Sequence, residues 1–298
     1  MASLSNGLAD AKTLQNFNNF ETEENLQFIN TTYGETYACV DFYKQPAVDH
    51  PSMKHYSIHY KMRPTSSLRS SKINNTNFGY LWENGVGCPI GTIPIKRVTK
   101  DQLVKLESFS ETFRPQGSWN FNDIQSEVHS NQHHFAVSRT KEEQGRFYTG
   151  ASMSLSVNNP KVKSPQFSSS RMHVQIGDDF IQMGWTVDPN LYSDSQTRLF
   201  VYTKSGENQC YDSMCASGFI SVRSDFPLGH VLAPSGVRGL SSFISTYALL
   251  KDKANGNWWF VFQGKEIGFW PASRFKQNVA NNIEWGGEST RILRLMIG

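Results

Sequence analysis

The chain has 298 residues, a net charge of +3, 18% charged and 13% aromatic residues, enough for one large or two ordinary domains with a full core. The positive balance is weak and scattered, without a Lys/Arg block interleaved with aromatics, so the composition gives no argument for nucleic acid. No run approaches 18 apolar residues, which excludes a spanning helix.

In chain order, residues 1–30 are polar and Asn-rich, and are expected to be a disordered N-terminal segment. MASLSNGLADAKTLQNF has neither a basic n-region nor an apolar h-region, so it is not expected to act as a signal peptide. Asn30 and Asn74 begin glycosylation sequons. The run VDFYKQPAVDHPSMKH carries two prolines and is neither a central strand nor a long helix. Pro94 to Val98 reads as a strand, and Thr99 as the N-cap of a short helix with Leu103, Val104 and Leu106 apolar. SETFRPQGSWNFNDIQSE, from residue 110, has the composition of a linker. Beyond residue 130 come strands between turns: HHFAVSRT, ASMSLSVN, FIQMGWTV, TRLFVYT, GFISVRS, NWWFVFQ, KEIGFWP and IEWGGE. This spacing predicts an antiparallel sandwich or barrel rather than βαβ units. SRFKQNV allows one short helical turn.

Alternation assigns the faces. Met153, Leu155 and Val157 oppose Ser152, Ser154 and Ser156; Ile181, Met183, Trp185 and Val187 oppose Phe180, Gln182, Gly184 and Thr186. In NNIEWGGEST, Glu284, Gly286 and Glu288 share one side, with Ile283 and Trp285 on the other. One core face and one small-polar face result, and the latter could floor a groove for an extended peptide or glycan.

No G-x-S-x-G elbow is present, and FSSSR lacks a local activating base. His133 and His134 are adjacent on a strand, so they point to opposite faces and read as a strand-end pair rather than a metal site. The cysteines Cys39, Cys88, Cys210 and Cys215 permit disulfides, with free buried thiols an equal alternative. Their spacing is not that of a zinc site, and no cofactor is expected. Carboxylates remain: two acids in unlike environments can divide base and proton-donor roles. Glu284 and Glu288 are the candidates, with solvation or cross-strand pairing as the ordinary alternative.

FIQMGWTVDPNLYSDSQTRLFVYT, the CYDSMC pair, GNWWFVF, IGFWPASRF and IEWGGE occur in the order of the neprosin family. TYGETYACVDFYKQPAVDHP and CPIGTIPIKRVTKDQL resemble its activation-peptide region, so the resemblance runs from about residue 21 to 288. It implies a secreted zymogen: an α+β pro-domain at 31–109, a linker at 110–128, and a β-sandwich glutamic-type peptidase at 129–298. It implies proline-directed cleavage in acid without metal or cofactor, peptide substrates, and the pro-domain as intramolecular inhibitor. It also implies disulfides Cys39–Cys88 and Cys210–Cys215, which need an oxidising compartment. Family members carry glutamates on neighbouring strands, where this chain has Gln182 and, by first choice, Glu288, with Glu284 second. Glu288 is then expected to activate water while Gln182 polarises the peptide carbonyl. The alternative is a binding module for peptides or glycans with Trp185, Tyr192 and Trp285 rimming the groove. Relative to the family the chain reads as truncated at both ends, and a relic without function is the third reading.

Overall fold

The computed structural model describes residues 26–65, 87–98, 114–118, 131–141, 145–213, 218–236 and 243–292. The expected helix after Thr99 and the sequon at Asn74 lie outside these residues.

A small antiparallel sheet comes first, formed by β1 (Phe28–Asn30), β2 (Thr36–Asp41) and β3 (Thr92–Lys96) in that order. The proline-rich run between β2 and β3 folds into three short 3-10 turns, Phe42–Lys44, Pro46–Asp49 and Pro51–Met53, since proline fixes φ and removes the donor a longer helix needs. Cys39 and Cys88 form a disulfide that ties β2 to the approach to β3, as the family resemblance implied. Cys210 is also disulfide-bonded; its expected partner Cys215 lies outside the described residues.

Eleven further strands make two larger sheets. β5 (Gly150–Ser156), β10 (Ile220–Ser221), β11 (Ile244–Lys251), β12 (Trp258–Phe262) and β13 (Lys265–Trp270) form a five-stranded sheet in the order β10-β13-β12-β11-β5. β4 (Asn131–Arg139), β6 (Ser168–Ile176), β7 (Asp179–Val187), β8 (Arg198–Ser205), β9 (Asn208–Tyr211) and β14 (Asn282–Ile292) form a six-stranded sheet in the order β4-β14-β6-β7-β8-β9. Both sheets contribute to one core, with Met172, Met183, Trp185 and Val201 from one and Tyr247, Trp258, Phe260 and Trp270 from the other. The mainly β, antiparallel class expected from the sequence is therefore observed, in two layers around a shared apolar interior.

The small sheet is not an appendage. Its Ala38, Val40, Ile93 and Ile95, with Phe42 of the first 3-10 turn, bury against Ile220, Trp259 and Phe269 of the five-stranded sheet and Tyr192 of a single-turn helix, Pro189–Tyr192. Polar groups cross the same junction: Gln45 donates to the carbonyl of Ser221 and accepts from its amide, and Arg198 pairs with Glu35.

Candidate active site

The hairpin β6–β7 turns through Gly177 and Asp178 and sets the register of everything that follows. It places His173 opposite Gln182, Arg171 opposite Gly184 and Ser169 opposite Thr186. On the other side of β6, β14 places Glu284 opposite His173, Gly286 opposite Arg171 and Glu288 opposite Ser169. Paired residues in antiparallel strands share a face, so Glu284, Glu288, Arg171, His173 and Gln182 project together from the side away from the core.

This corrects one expectation. Gln182 and Glu288 do not sit on neighbouring strands, because β6 runs between them. They meet because the middle rung is almost empty: Gly286 and Gly184 flank Arg171. Both glycines are required by the backbone as well, since a Cβ would lie 2.1 Å from the Ala136 carbonyl oxygen at Gly286 and 2.1 Å from the Ser170 carbonyl oxygen at Gly184.

Arg171 is the centre of the cluster. Its Nε donates to Glu288 Oε2 at 3.1 Å and its Nη1 to Glu284 Oε2 at 2.9 Å. The three side chains are at most 1% exposed. Two carboxylates against one guanidinium leave a buried negative charge, which is tolerable only if further donors meet it. They do. Gln182 Nε2 donates to Glu288 Oε2 at 3.0 Å, and His133 Nδ1, from β4, lies 3.0 Å from Oε1.

The remaining donors come from a distant part of the chain. Residues 114–118, Arg-Pro-Gln-Gly-Ser from the sequence-predicted linker, lie across this face. The Gln116 amide donates to Glu288 Oε1 at 3.0 Å, and the Ser118 amide to Glu284 Oε1 at 3.0 Å, joined by the Ser118 hydroxyl. The Gln116 carbonyl in turn accepts from Arg171 Nη2 at 3.1 Å and Gln182 Nε2 at 3.3 Å. The small-polar face expected to be open is thus covered, and β7 is buried along both sides.

The predicted rim residues are elsewhere. Trp185 belongs to the main core, 6% exposed, its indole donating to the Ser156 carbonyl. Trp285 packs against the same core and donates to the Ser152 carbonyl. Tyr192 is buried at the junction with the small sheet, donating to Asp212. None of the three lines the carboxylate face, and strand parity explains the two tryptophans: each stands an odd number of residues from Gln182 or Glu284. The aromatics on the Gln182 side are Phe180, Phe200 and Tyr202, with Tyr211 packed against them. Asn30 is exposed, its side chain accepting from Thr36.

Sequence reasoning missed Arg171, His173 and Gln175, and set His133 aside. A signal existed in SSSRMHVQI, where Met172, Val174 and Ile176 alternate with them, the pattern of a two-faced strand.

An N-terminal accessory sheet, two packed antiparallel sheets and a carboxylate-centred face covered by the chain itself define a two-part β-protein. Two family models match it: Neprosin over residues 164–293, and Neprosin activation peptide over residues 28–139. The chain belongs to the neprosin family and joins its activation peptide to its catalytic domain, the organisation of a zymogen peptidase. The activation-peptide match includes both the segment 114–118 and β4, whose strand completes the catalytic sheet. Two solved structures align with 48% of the chain: CG-16, a homodimeric agglutinin from chicken liver, at 7% identity over 97% of its length, and a toad ovary galectin in complex with thio-digalactose, at 11% over 91%. Both have TM-scores of 0.19 and carry no argument.

Proposed function

We propose that this chain is the latent form of a glutamic-type, proline-directed endopeptidase in which Glu288 is the base and Gln182 the carbonyl-polarising group. The observation that supports this most is the Gln116 carbonyl, held by Gln182 and Arg171 beside the Glu288 carboxylate. A substrate carbonyl in that position would have its developing oxyanion met by preorganised donors, each worth roughly 10²–10³ in rate. Glu288 would take a proton from water as the oxygen attacks the carbonyl carbon. As the C–N bond breaks, it would return that proton to the departing amine. Gln182 takes no part in proton transfer, and Glu284, paired with Arg171, fixes the guanidinium.

Latency follows from the donor count. A carboxylate offers about four lone-pair sites, and Glu288 already receives the Gln116 amide, His133, Arg171 and Gln182. Of these four donors only the Gln116 amide comes from outside the sheet, so withdrawal of the segment opens the place a water needs. Phe180, Phe200, Tyr202 and Tyr211 are the apolar surface beside Gln182 suited to a prolyl side chain. The Cys39–Cys88 disulfide accords with a secreted protein.

The test is acid incubation followed by a proline-containing peptide, with Glu288→Gln alongside. Cleavage by the parent chain and none by the variant is expected. A folded parent that cleaves nothing, or a variant that cleaves as well, rejects the mechanism. Peptide binding without turnover would instead favour the binding-module reading.

A further inference from the structure

We propose that His173 and Gln175 are positioning residues that hold the Gln182 amide in one of its two orientations, with its nitrogen toward Glu288 and the bound carbonyl. This rests on the peptidase reading above and deepens it. The direction of every hydrogen bond in the chain can be worked out from one fixed end. The Gly177 carbonyl can only accept, so Gln175 presents its amide nitrogen there, at 2.7 Å. The Gln175 oxygen then faces His173 Nε2 at 2.9 Å, and Nε2 must carry the proton. His173 is fully buried beside Arg171, and burial together with that cation lowers its pKa to about 3, so the ring is neutral. Its Nδ1 is therefore a lone pair, 3.3 Å from Gln182 Nε2.

Gln182 Nε2 thus faces three acceptors: His173 Nδ1, Glu288 Oε2 and the Gln116 carbonyl. Turning the amide over would set its oxygen against all three. The oxygen is left buried and without a hydrogen-bond partner among the described residues. An orphaned buried acceptor is destabilising, so the orientation is imposed by the surroundings rather than preferred by the glutamine. The same surroundings explain the residue type. A carboxylate at position 182 would meet a lone pair and a second carboxylate, whereas an amide supplies the donors both require. The relay is built around a glutamine, and Gln182→Glu is expected to lower activity rather than restore it.

Two measurements test the relay. The first needs no activity: in chain labelled with ¹⁵N-histidine, the His173 ring, assigned by its loss in His173→Asn, is expected as the Nε2–H tautomer with an unprotonated Nδ1 at neutral pH. An Nδ1–H tautomer or an imidazolium overturns the proposal. The second is kinetic. His173→Asn keeps an acceptor near Nδ1 and is expected to retain most of kcat. His173→Leu removes it and is expected to lower kcat about 10-fold or more, a part of the roughly 10²–10³ an oxyanion donor is worth, with little change in KM. Equal kcat in both variants overturns the proposal. If the parent chain shows no turnover, the peptidase reading fails while the ring tautomer still decides the relay, as it does if His173→Leu does not fold.

Discussion

At the scale of single residues, the carboxylate face depends on one cation. Arg171 contacts Glu284 and Glu288 directly and the Gln116 carbonyl besides. Removing one partner of a buried ionic cluster leaves charge uncompensated, at a cost of about 3–5 kcal/mol. Arg171→Met should therefore lower the unfolding midpoint sharply in thermal denaturation. Adding Glu284→Gln to that variant should recover part of the loss, because one orphaned charge is then gone. If the double variant is no more stable than the single, the cluster is not held together electrostatically. The flanking glycines act differently. At Gly286 the backbone has φ of 141° and a Cβ would strike the Ala136 carbonyl, so Gly286→Ala is expected to separate β14 from β4. Loss of amide exchange protection confined to β4 and β14 would be the signature.

At the scale of elements, the decisive one is the segment 114–118. Its Gln116 and Ser118 amides donate to buried carboxylates, so both should exchange slowly with solvent in the intact chain. Glu284→Gln replaces a charged acceptor by a neutral one, weakening a bond of roughly 1.5–3 kcal/mol. The Ser118 amide should then exchange about 10-fold faster or more, with Gln116 less affected; unchanged rates would mean the segment is held by other contacts. Composition marked this stretch as a linker, but nothing in its residues tells where a linker lies. Alternation made the faces of β5, β7 and β14 legible at period two, while β8, β12 and β13 read as strands because short apolar runs lie between turns. It also correctly put Gln182, Glu284 and Glu288 on polar faces. The same parity places Trp185 and Trp285 on the faces opposite Gln182 and Glu284, so only their residue type suggests a rim. β6 is hard to read in the sequence because its opening serines resemble a nucleophile run more than a strand. Strand order was beyond reach: β14 inserts between β4 and β6, a placement that depends on pairings more than a hundred residues apart.

At the scale of the whole molecule, the small sheet and the sandwich share apolar surface and a buried polar network, and that network responds to pH. Lys96 of β3 pairs with Glu35 at 2.8 Å and lies over the Tyr192 ring. Tyr192 donates to Asp212, which also accepts from the Val201 amide. Burial raises the Asp212 pKa to about 7, against the opposing pull of those hydrogen bonds, Lys96 and Arg198. In the unfolded chain an aspartate titrates near 3.9. The folded state therefore binds the proton more tightly, and the stability from Asp212 is full below about 4 and declines as pH rises to about 7, by roughly 1.4 kcal/mol per unit. Asp188, raised by burial to about 6, acts in the same sense. His230, lowered by burial to about 4, acts in the opposite one, its contribution lost as pH falls below 6.5. The net profile mixes these, so Asp212 must be isolated by difference. Asp212→Asn keeps the side-chain shape and an oxygen for the Val201 amide but cannot ionise. Its stability relative to the parent chain, by denaturant unfolding, should be near zero or slightly negative at pH 4, should grow steadily in the variant's favour up to about pH 7, and should level off above that. A difference that stays flat across this range would mean that Asp212 keeps its charge in the folded chain. The junction between the two parts would then owe its pH response to other groups.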